Sequence, residues 1–300
     1  MRVMHWVKIG LLCCVSGSAL AASELTAAMP EALKGIPPSG LSCQRDDVQR
    51  GAKGQPLAPI ARRGADLSCM LEPAQWPSFA GKKTPLMVDI RSAAEFEAAH
   101  VDGALNASVV QLKVKPYLKD RAVVLMGSGK AEEELYMACA DLKAQGFAQV
   151  RVMRGGMARW KGLGKDLVGR TGADAGVPEL KAAELWQEQQ FEANLVLVAP
   201  SHASLMAQLP SAIAVSALTA QAVQAVVERR RKETRNAPLA AVVIVGDATE
   251  PQLRALASAL PSVPLLSYAA PASSYLAEMR QQQAAWTALA KGPKQLPCGR

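Results

Sequence analysis

Short apolar runs alternate with segments of helical pattern along the first half of the chain. Three such runs lie at residues 86–90, 123–125 and 150–153, each bounded by Gly, Pro or polar residues. Apolar runs of this length are typical of strands that are buried on both faces of a sheet. Residues 131–145 show a helical pattern with three glutamates in its first turn, at 132–134, and it ends before Gly146. This alternation predicts the α/β class, with a parallel sheet between helices.

The same succession returns in the second half. Apolar runs at 194–198, 241–246 and 263–266 follow the order of the first three, and a helical segment at 251–260 precedes the last run. Each similarity is short, but their common order indicates an internal repeat. The sequence therefore predicts a second domain of the same architecture.

The length of 300 residues, half of them apolar, suffices for two compact domains. Gly and Pro positions mark the boundaries between them. The predicted division is a signal peptide at 1–21, an extended N-terminal segment at 22–65, a first domain at 66–169, a linker at 170–178 and a second domain at 179–300.

The N-terminus has the pattern of a secretory signal. Arg2 and Lys8 are basic, residues 9–15 are apolar, and Ala19-Leu20-Ala21 forms a small-x-small cleavage site. The apolar stretch is shorter than the roughly 20 residues that span a bilayer. We therefore expect a periplasmic or secreted protein, cleaved after Ala21, with no integral membrane segment.

Export places the cysteines in an oxidising compartment. Cys43 and Cys69 flank an irregular stretch, which predicts a disulfide between them that contributes roughly 3 kcal/mol. Cys139 lies on an apolar helical face and is predicted to be a small buried hydrophobe, while the pairing of Cys298 stays open. No Cys/His cluster is present in the sequence, so neither a metal nor a cofactor is expected.

Several separated motifs stand in a fixed order in the first domain. They are Asp89-x-Arg91, Glu95-Phe96, His100-Val101-x-Gly103-Ala104 and Gly155-Gly156-x-x-x-Trp160. This order resembles the rhodanese-like family, which contains sulfurtransferases and non-catalytic relatives. The resemblance implies two rhodanese-like three-layer α/β domains with parallel sheets, the second one degenerate. It also implies that His100 is structural.

The sequence departs from the family at the nucleophile. The resemblance places the catalytic cysteine where this chain has Met126, and the corresponding residue of the second domain is Val245. A thioether cannot be deprotonated and cannot carry a transferable sulfur. The second domain also has Ala199 and Ser201 in place of the Asp-x-Arg pair, so neither domain is expected to transfer sulfur.

The loop after Met126 leaves two interpretations open. Gly127, Ser128, Gly129 and Lys130 lead into a helix, an arrangement that can hold a small oxyanion weakly through backbone N–H groups. Alternatively, the loop is only a glycine-rich turn. A serine hydrolase is not predicted, because no Ser/His/Asp set is visible and the lone His202 has the context of a surface residue.

Charge adds little to this picture. The net charge is +8, and one basic run, Arg229–Lys232, stands at the end of a helical pattern. Cations are stabilised at that helix pole, so a solvated helix end is the favoured interpretation and an acidic-lipid patch is the alternative. The scarcity of aromatic residues argues against a nucleic-acid partner.

Together these features predict an exported, non-catalytic binding or scaffolding module with a protein partner in that compartment. The alternative is a sulfurtransferase, or another enzyme, that uses a displaced thiol or the residual loop. Cys139 is the candidate for a displaced thiol. It lies thirteen residues after Met126, within the following helix, so it cannot take the same place in the loop.

Overall fold

The computed structural model describes residues 63–79, 85–169 and 176–290. The predicted signal peptide, most of the extended segment, Cys43 and Cys298 lie outside these ranges. Among the helices that are described, none combines the length and the apolar character that crossing a bilayer requires.

The first half contains a parallel five-stranded sheet in the order β1-β6-β5-β2-β4, and a separate antiparallel pair of β3 with β7. Its elements are β1 (Met70–Leu71), α1 (Trp76–Phe79), β2 (Leu86–Asp89), α2 (Ala93–Ala98), β3 (Ala99–His100), β4 (Leu105–Asn106), α3 (Val109–Lys113), β5 (Ala122–Met126), α4 (Glu132–Ala144), β6 (Gln149–Met153), α5 (Gly156–Gly162) and β7 (Val168–Gly169). The three apolar runs of the first half are β2, β5 and β6, as predicted.

The second half contains a parallel four-stranded sheet in the order β11-β10-β8-β9. Its elements are α6 (Ala182–Glu188), β8 (Leu195–Val198), β9 (Ile213–Ala214), α7 (Ala220–Glu233), β10 (Val242–Val245), α8 (Glu250–Ala259), β11 (Leu265–Tyr268) and α9 (Ala272–Ala290). This order matches β6-β5-β2-β4 of the first sheet. In the second sheet, a parallel bridge joins Glu179 to Ser267 of β11. It lies at the edge that corresponds to the pairing of β1 with β6 in the first sheet.

Strand register identifies corresponding positions in the two sheets. Asp89 lies opposite Met126 in the first sheet, and Val198 lies opposite Val245 in the second. With Val245 at the position of Met126, the position of Asp89 is therefore taken by Val198, and that of Arg91 by Pro200. The assignment of Ala199 and Ser201 to the Asp-x-Arg pair is wrong by one residue, because the sequence repeat has too little identity to fix the register.

Each sheet separates two apolar layers, as expected for strands covered on both faces. Along β5, Val123 and Leu125 face one cluster, whereas Val124 and Met126 face the other. The central strand of the second sheet, β10, divides its side chains in the same alternating manner. Burying one such side chain stabilises the fold by roughly 1.5–3 kcal/mol, so these two strands anchor their sheets.

Cys69 forms a disulfide with Cys139, and both residues are fully buried. The predicted Cys43–Cys69 bridge is therefore wrong. Cys139 is buried on α4 as predicted, but it is bonded and is not a free thiol. No local pattern indicates this pairing, because only the packing of α4 against the turn Leu67–Cys69 brings the two residues together.

Candidate functional site

An internal ion pair holds the carboxyl end of β2. The Asp89 carboxylate is buried and accepts hydrogen bonds from Arg91 Nε at 2.9 Å and Arg91 Nη2 at 2.6 Å. Arg91 Nη2 also donates to the Ala99 carbonyl at 2.7 Å, and the Asn106 amide donates to the carbonyls of Asp89 and Arg91. These contacts tie β2 to β3 and β4, and they engage the Asp89 carboxylate together with Nε and Nη2 of Arg91.

The other motif residues of this segment also make local contacts. Ser92 and Glu95 form a reciprocal capping box at the start of α2. The His100 ring stacks on Phe96 at 4.0 Å, and its Nδ1 lies 2.8 Å from the Phe96 carbonyl oxygen. Gly103 adopts a left-handed conformation with φ of 70° in the turn before β4. These contacts give each of these motif residues a structural role within its own segment.

Met126 ends β5 with its side chain in the core. It is fully buried in an apolar cluster that includes Met153, Met157 and Trp160. The thioether therefore fills a gap between hydrophobic side chains, a role that its flexibility suits.

The loop after Met126 packs directly against the start of α5. The Met157 amide donates to the Gly127 carbonyl at 2.8 Å, and the Ala158 amide donates to the Ser128 carbonyl at 3.1 Å. The backbones approach so closely that an added Cβ at Gly129 would lie 2.6 Å from the Gly155 carbonyl oxygen. These glycines therefore serve the contact between loop and helix.

The second half supplies partners to the loop. Lys130 Nζ donates to the Glu179 carbonyl at 2.6 Å and pairs with the Glu184 carboxylate at 3.0 Å. The Ala131 amide donates to Glu188 Oε1 at 2.6 Å. Ala131 itself has a φ of 52°, which is uncommon for a residue with a side chain. A carboxyl group of α6 thus accepts a hydrogen bond from the backbone amide directly before α4.

Glu188 is nearly inaccessible to solvent. Its Oε2 accepts a hydrogen bond from the Asn194 side-chain amide at 2.7 Å. Burial raises the pKa of the Glu188 carboxyl above its ordinary value, while the hydrogen bonds from Ala131 and Asn194 act in the opposite direction.

Glu132 places a second buried carboxyl group beside this loop. Its Oε1 accepts a hydrogen bond from the Gly155 amide at 2.5 Å, and its Oε2 lies 3.2 Å from the Tyr136 hydroxyl. Burial raises the pKa of Glu132 to about 8, although these hydrogen bonds and the charge of Arg154 lower it. Its surroundings therefore favour the protonated form of this carboxyl group.

The predicted loop residues and the functional partners come from different parts of the chain. The sequence placed Gly127 to Lys130 correctly between β5 and α4. It did not indicate Glu184 or Glu188, because they lie more than fifty residues away and only the packing of α6 brings them to the loop. Of the three glutamates that open α4, Glu132 alone is buried.

In the second half, Val245 is followed by Gly246 and Asp247, and a histidine is buried nearby. His202, predicted to be a surface residue, is only 2% exposed. Its Nδ1 lies 3.0 Å from Ser201 Oγ and 3.9 Å from Asp247 Oδ1, while Nε2 lies 2.9 Å from the Ala270 carbonyl oxygen. A serine-hydrolase triad needs the serine and the acid at opposite ring nitrogens. This arrangement therefore does not support serine hydrolysis.

Comparison with known proteins finds similarity in the first half. Residues 76–163 match the family model described as a rhodanese-like domain. A sulfurtransferase of Allochromatium vinosum is 34% identical over 89 residues, which are 29% of this chain and 81% of that protein.

Solved structures match at lower identity and over different shares of the chain. A Rhodanese_3-like domain from Anabaena sp. is 22% identical and covers 30% of this chain and 97% of that domain, with a TM-score of 0.26. A thiosulfate sulfurtransferase from Pseudomonas aeruginosa is 14% identical and covers 70% of this chain and 42% of that protein, with a TM-score of 0.30.

Proposed function

The chain belongs to the rhodanese-like family, and we propose that it is an exported member that binds a protein partner and does not transfer sulfur. The state of the loop after β5 carries this proposal. The strand residue before it is the buried Met126, and its last amide, that of Ala131, is bonded to Glu188.

Sulfur transfer in this fold requires a thiolate whose persulfide is surrounded by free N–H groups. Met126 supplies no thiolate. The Ala131 amide is bonded to Glu188, and the Lys130 cation is paired with Glu184. A loop built in this way lacks the nucleophile and also has two of its anion-attracting groups engaged. The weak oxyanion site that the sequence suggested at Gly127 to Lys130 stays a prediction, and these partners weigh against it.

The enzymatic alternative needs a displaced thiol. Cys139 is unsuited to that role, because it is fully buried and bonded to Cys69. A disulfide also supports export, since such bonds persist in oxidising compartments. The proposed secretory signal at 1–21, cleaved after Ala21, also supports export.

The proposal includes a tandem arrangement in which the second half is a degenerate rhodanese-like repeat. Its support is the shared strand order, the equivalent register of Val198 with Val245, and the Glu179–Ser267 bridge at the corresponding edge. With Val245 at the nucleophile position, this half has no thiol there.

A thiosulfate:cyanide transfer assay tests the loss of catalysis. We expect no turnover by the wild-type chain and none by Met126→Cys, since the new side chain would lie in the core beside a loop whose amide is already bonded. The variant Met126→Cys combined with Glu188→Ala separates the two causes, because alanine removes the acceptor of the Ala131 amide. Turnover by this double variant alone would assign part of the loss to the occupied amide, and an active rhodanese serves as the assay control. Turnover by the wild-type chain would contradict the proposal.

Binding to a partner needs its own measurement. The immobilised chain should retain a protein from the exported fraction, and the free chain should compete for it in a saturable manner. An unrelated exported protein of similar net charge is the control for ionic adsorption. Retention that free chain does not displace would count against a specific partner.

A further inference from the structure

A cleft of about 630 Å³ lies away from the loop, where the end of β6 meets the turns of the second half. Three arginines line it, namely Arg154 and Arg159 from the first half and Arg231 from α7. Glu72 is the one acidic residue among the lining residues in the described part of the chain. The walls of the cleft are therefore strongly cationic.

The three guanidinium groups converge on one short turn. Arg159 Nη2 donates to the Pro261 carbonyl at 3.0 Å, and Arg154 Nη1 donates to the next carbonyl, that of Ser262, at 2.7 Å. Arg231 Nη2 donates to the Ser262 hydroxyl at 3.1 Å. Successive residues of one turn thus hold all three arginines together despite their like charges.

Charge compensation among them is incomplete. Glu72 pairs with the buried Arg154 at 2.5 Å and with the partly buried Arg159 at 3.0 Å, so a single carboxylate serves two cations. Arg154 has further carbonyl partners at Leu239 and Ala240.

Arg159 differs, because its Nη1 is buried and has no hydrogen-bond partner among the described residues. An unpaired buried donor on a charged group is costly. Burial also lowers the pKa of Arg159, and the charge of Arg154 adds to that effect while Glu72 opposes it. A negatively charged group bound in the cleft would stabilise the Arg159 cation through its charge.

Arg231 supplies the accessible side of the cleft. It belongs to the basic run that ends α7, and its Nη1 pairs with the exposed Glu228 at 2.7 Å. About a third of its side chain is exposed to solvent. The sequence predicted a solvated helix end for this run, but Arg231 has its second nitrogen turned to Ser262 in the cleft.

We propose that this cleft binds a small organic anion through a phosphate or carboxylate group held by Arg159 and Arg231. The planar guanidinium fork matches both groups, because each offers two oxygens to parallel N–H donors. The volume is within the range of small-molecule sites and exceeds what a bare ion needs. The cleft contains no residue of the loop after Met126, so the proposal stands apart from the question of sulfur transfer.

Titration of the full chain with inorganic phosphate, and separately with citrate, tests this site at constant ionic strength with chloride as the replaced anion. We expect saturable shifts of the Arg159 and Arg231 side-chain Nε–H signals and a higher unfolding midpoint. The stronger of the two probes identifies the preferred anionic group. The amide signals of Gly127 and Gly129 report separately on the loop.

Two variants define the specificity. Arg231→Gln should weaken binding by about tenfold or more, since a hydrogen bond to a charged group is lost. Arg229→Gln is the matched control, because Arg229 lies on the same helix, does not line the cleft and is 58% exposed; its affinity should stay within about twofold. Arg159→Met should abolish binding, and if that variant fails to fold, Arg231→Gln decides alone.

The proposal is overturned if neither anion moves the arginine signals, or if Arg231→Gln and Arg229→Gln bind equally well. Shifts that are confined to Gly127 and Gly129 would also overturn it, because they would assign the anion to the loop.

Discussion

Glu132 shows how a single buried side chain sets the behaviour of the loop region. Its carboxyl group lies between the Gly155 amide and the Tyr136 hydroxyl, with its pKa raised to about 8. Because the unfolded chain ionises this group near pH 4.5, the folded state holds a proton that the unfolded state releases between these two values. Folding stability is therefore lost as the pH rises through this interval.

The variant Glu132→Gln removes that titration. We expect the wild-type chain to lose a few kcal/mol of unfolding free energy between pH 5 and 8 relative to the variant, an order of magnitude that follows from the raised pKa. Urea denaturation at both pH values measures it. Glu134→Gln is the matched control, because Glu134 lies in the same helical turn but is exposed to solvent; this variant should keep the wild-type pH dependence. Equal slopes for wild type and Glu132→Gln would contradict the assigned pKa.

At the scale of elements, the disulfide fastens the N-terminal turn to α4. Cys69 and Cys139 are 70 residues apart, so the bond closes a long loop in the unfolded chain. Lys143 of the same helix pairs with Asp66 at 2.8 Å beside this bond. The side-chain hydrogen bonds from Lys143 and Ser68 keep the pKa of Asp66 below its usual value. The turn Leu67–Cys69 and β1 are thus held to the helix that follows β5.

Replacing both cysteines, Cys69→Ala with Cys139→Ala, should destabilise the chain by roughly 4 kcal/mol on the chain-entropy model for a loop of this length. Chemical denaturation with and without reductant measures the loss. Reductant should destabilise the wild-type chain by breaking the Cys69–Cys139 bond, an effect that the double variant lacks. Peptide mapping without reduction should recover the Cys69–Cys139 pair. A Cys69–Cys43 peptide in its place would refute the assignment.

At the scale of the whole molecule, buried polar contacts join the two sheets within one compact unit, Ile60–Leu296. Arg154 of the first half donates to the carbonyls of Leu239, Ala240 and Ser262 in the second. The Ala131–Glu188 bond adds a further link at the loop. The loop after Met126 therefore contacts the second half directly.

Arg154→Met should therefore weaken the coupling between the halves. It leaves three carbonyl groups without their donor, which costs about 3 kcal/mol or more. We expect a lower urea midpoint and a transition that separates into two steps. Arg151→Met is the matched control on β6, because its guanidinium lies over the Phe79 ring of its own half. One unchanged cooperative transition in Arg154→Met would contradict the role of this residue.

The sequence by itself determined the features that depend on neighbouring residues. The apolar runs gave β2, β5 and β6, the helical pattern gave α4, and the position of Met126 at the end of a strand followed directly. These features could be predicted because strand burial, helix periodicity and turn chemistry act over a few residues. The motif order predicted the fold of the first half through its resemblance to the rhodanese-like family.

Only the tertiary structure decided which distant groups meet. The Cys69–Cys139 bond, the Glu188 carboxyl at the Ala131 amide, the burial of His202 and the convergence of three arginines on one turn all join segments far apart in sequence. The chain contains several cysteines, many glutamates and many arginines, and local pattern does not select among them. Their pairing follows from how helices and turns pack around the two sheets, since a buried polar group is stable only where this packing supplies its partner.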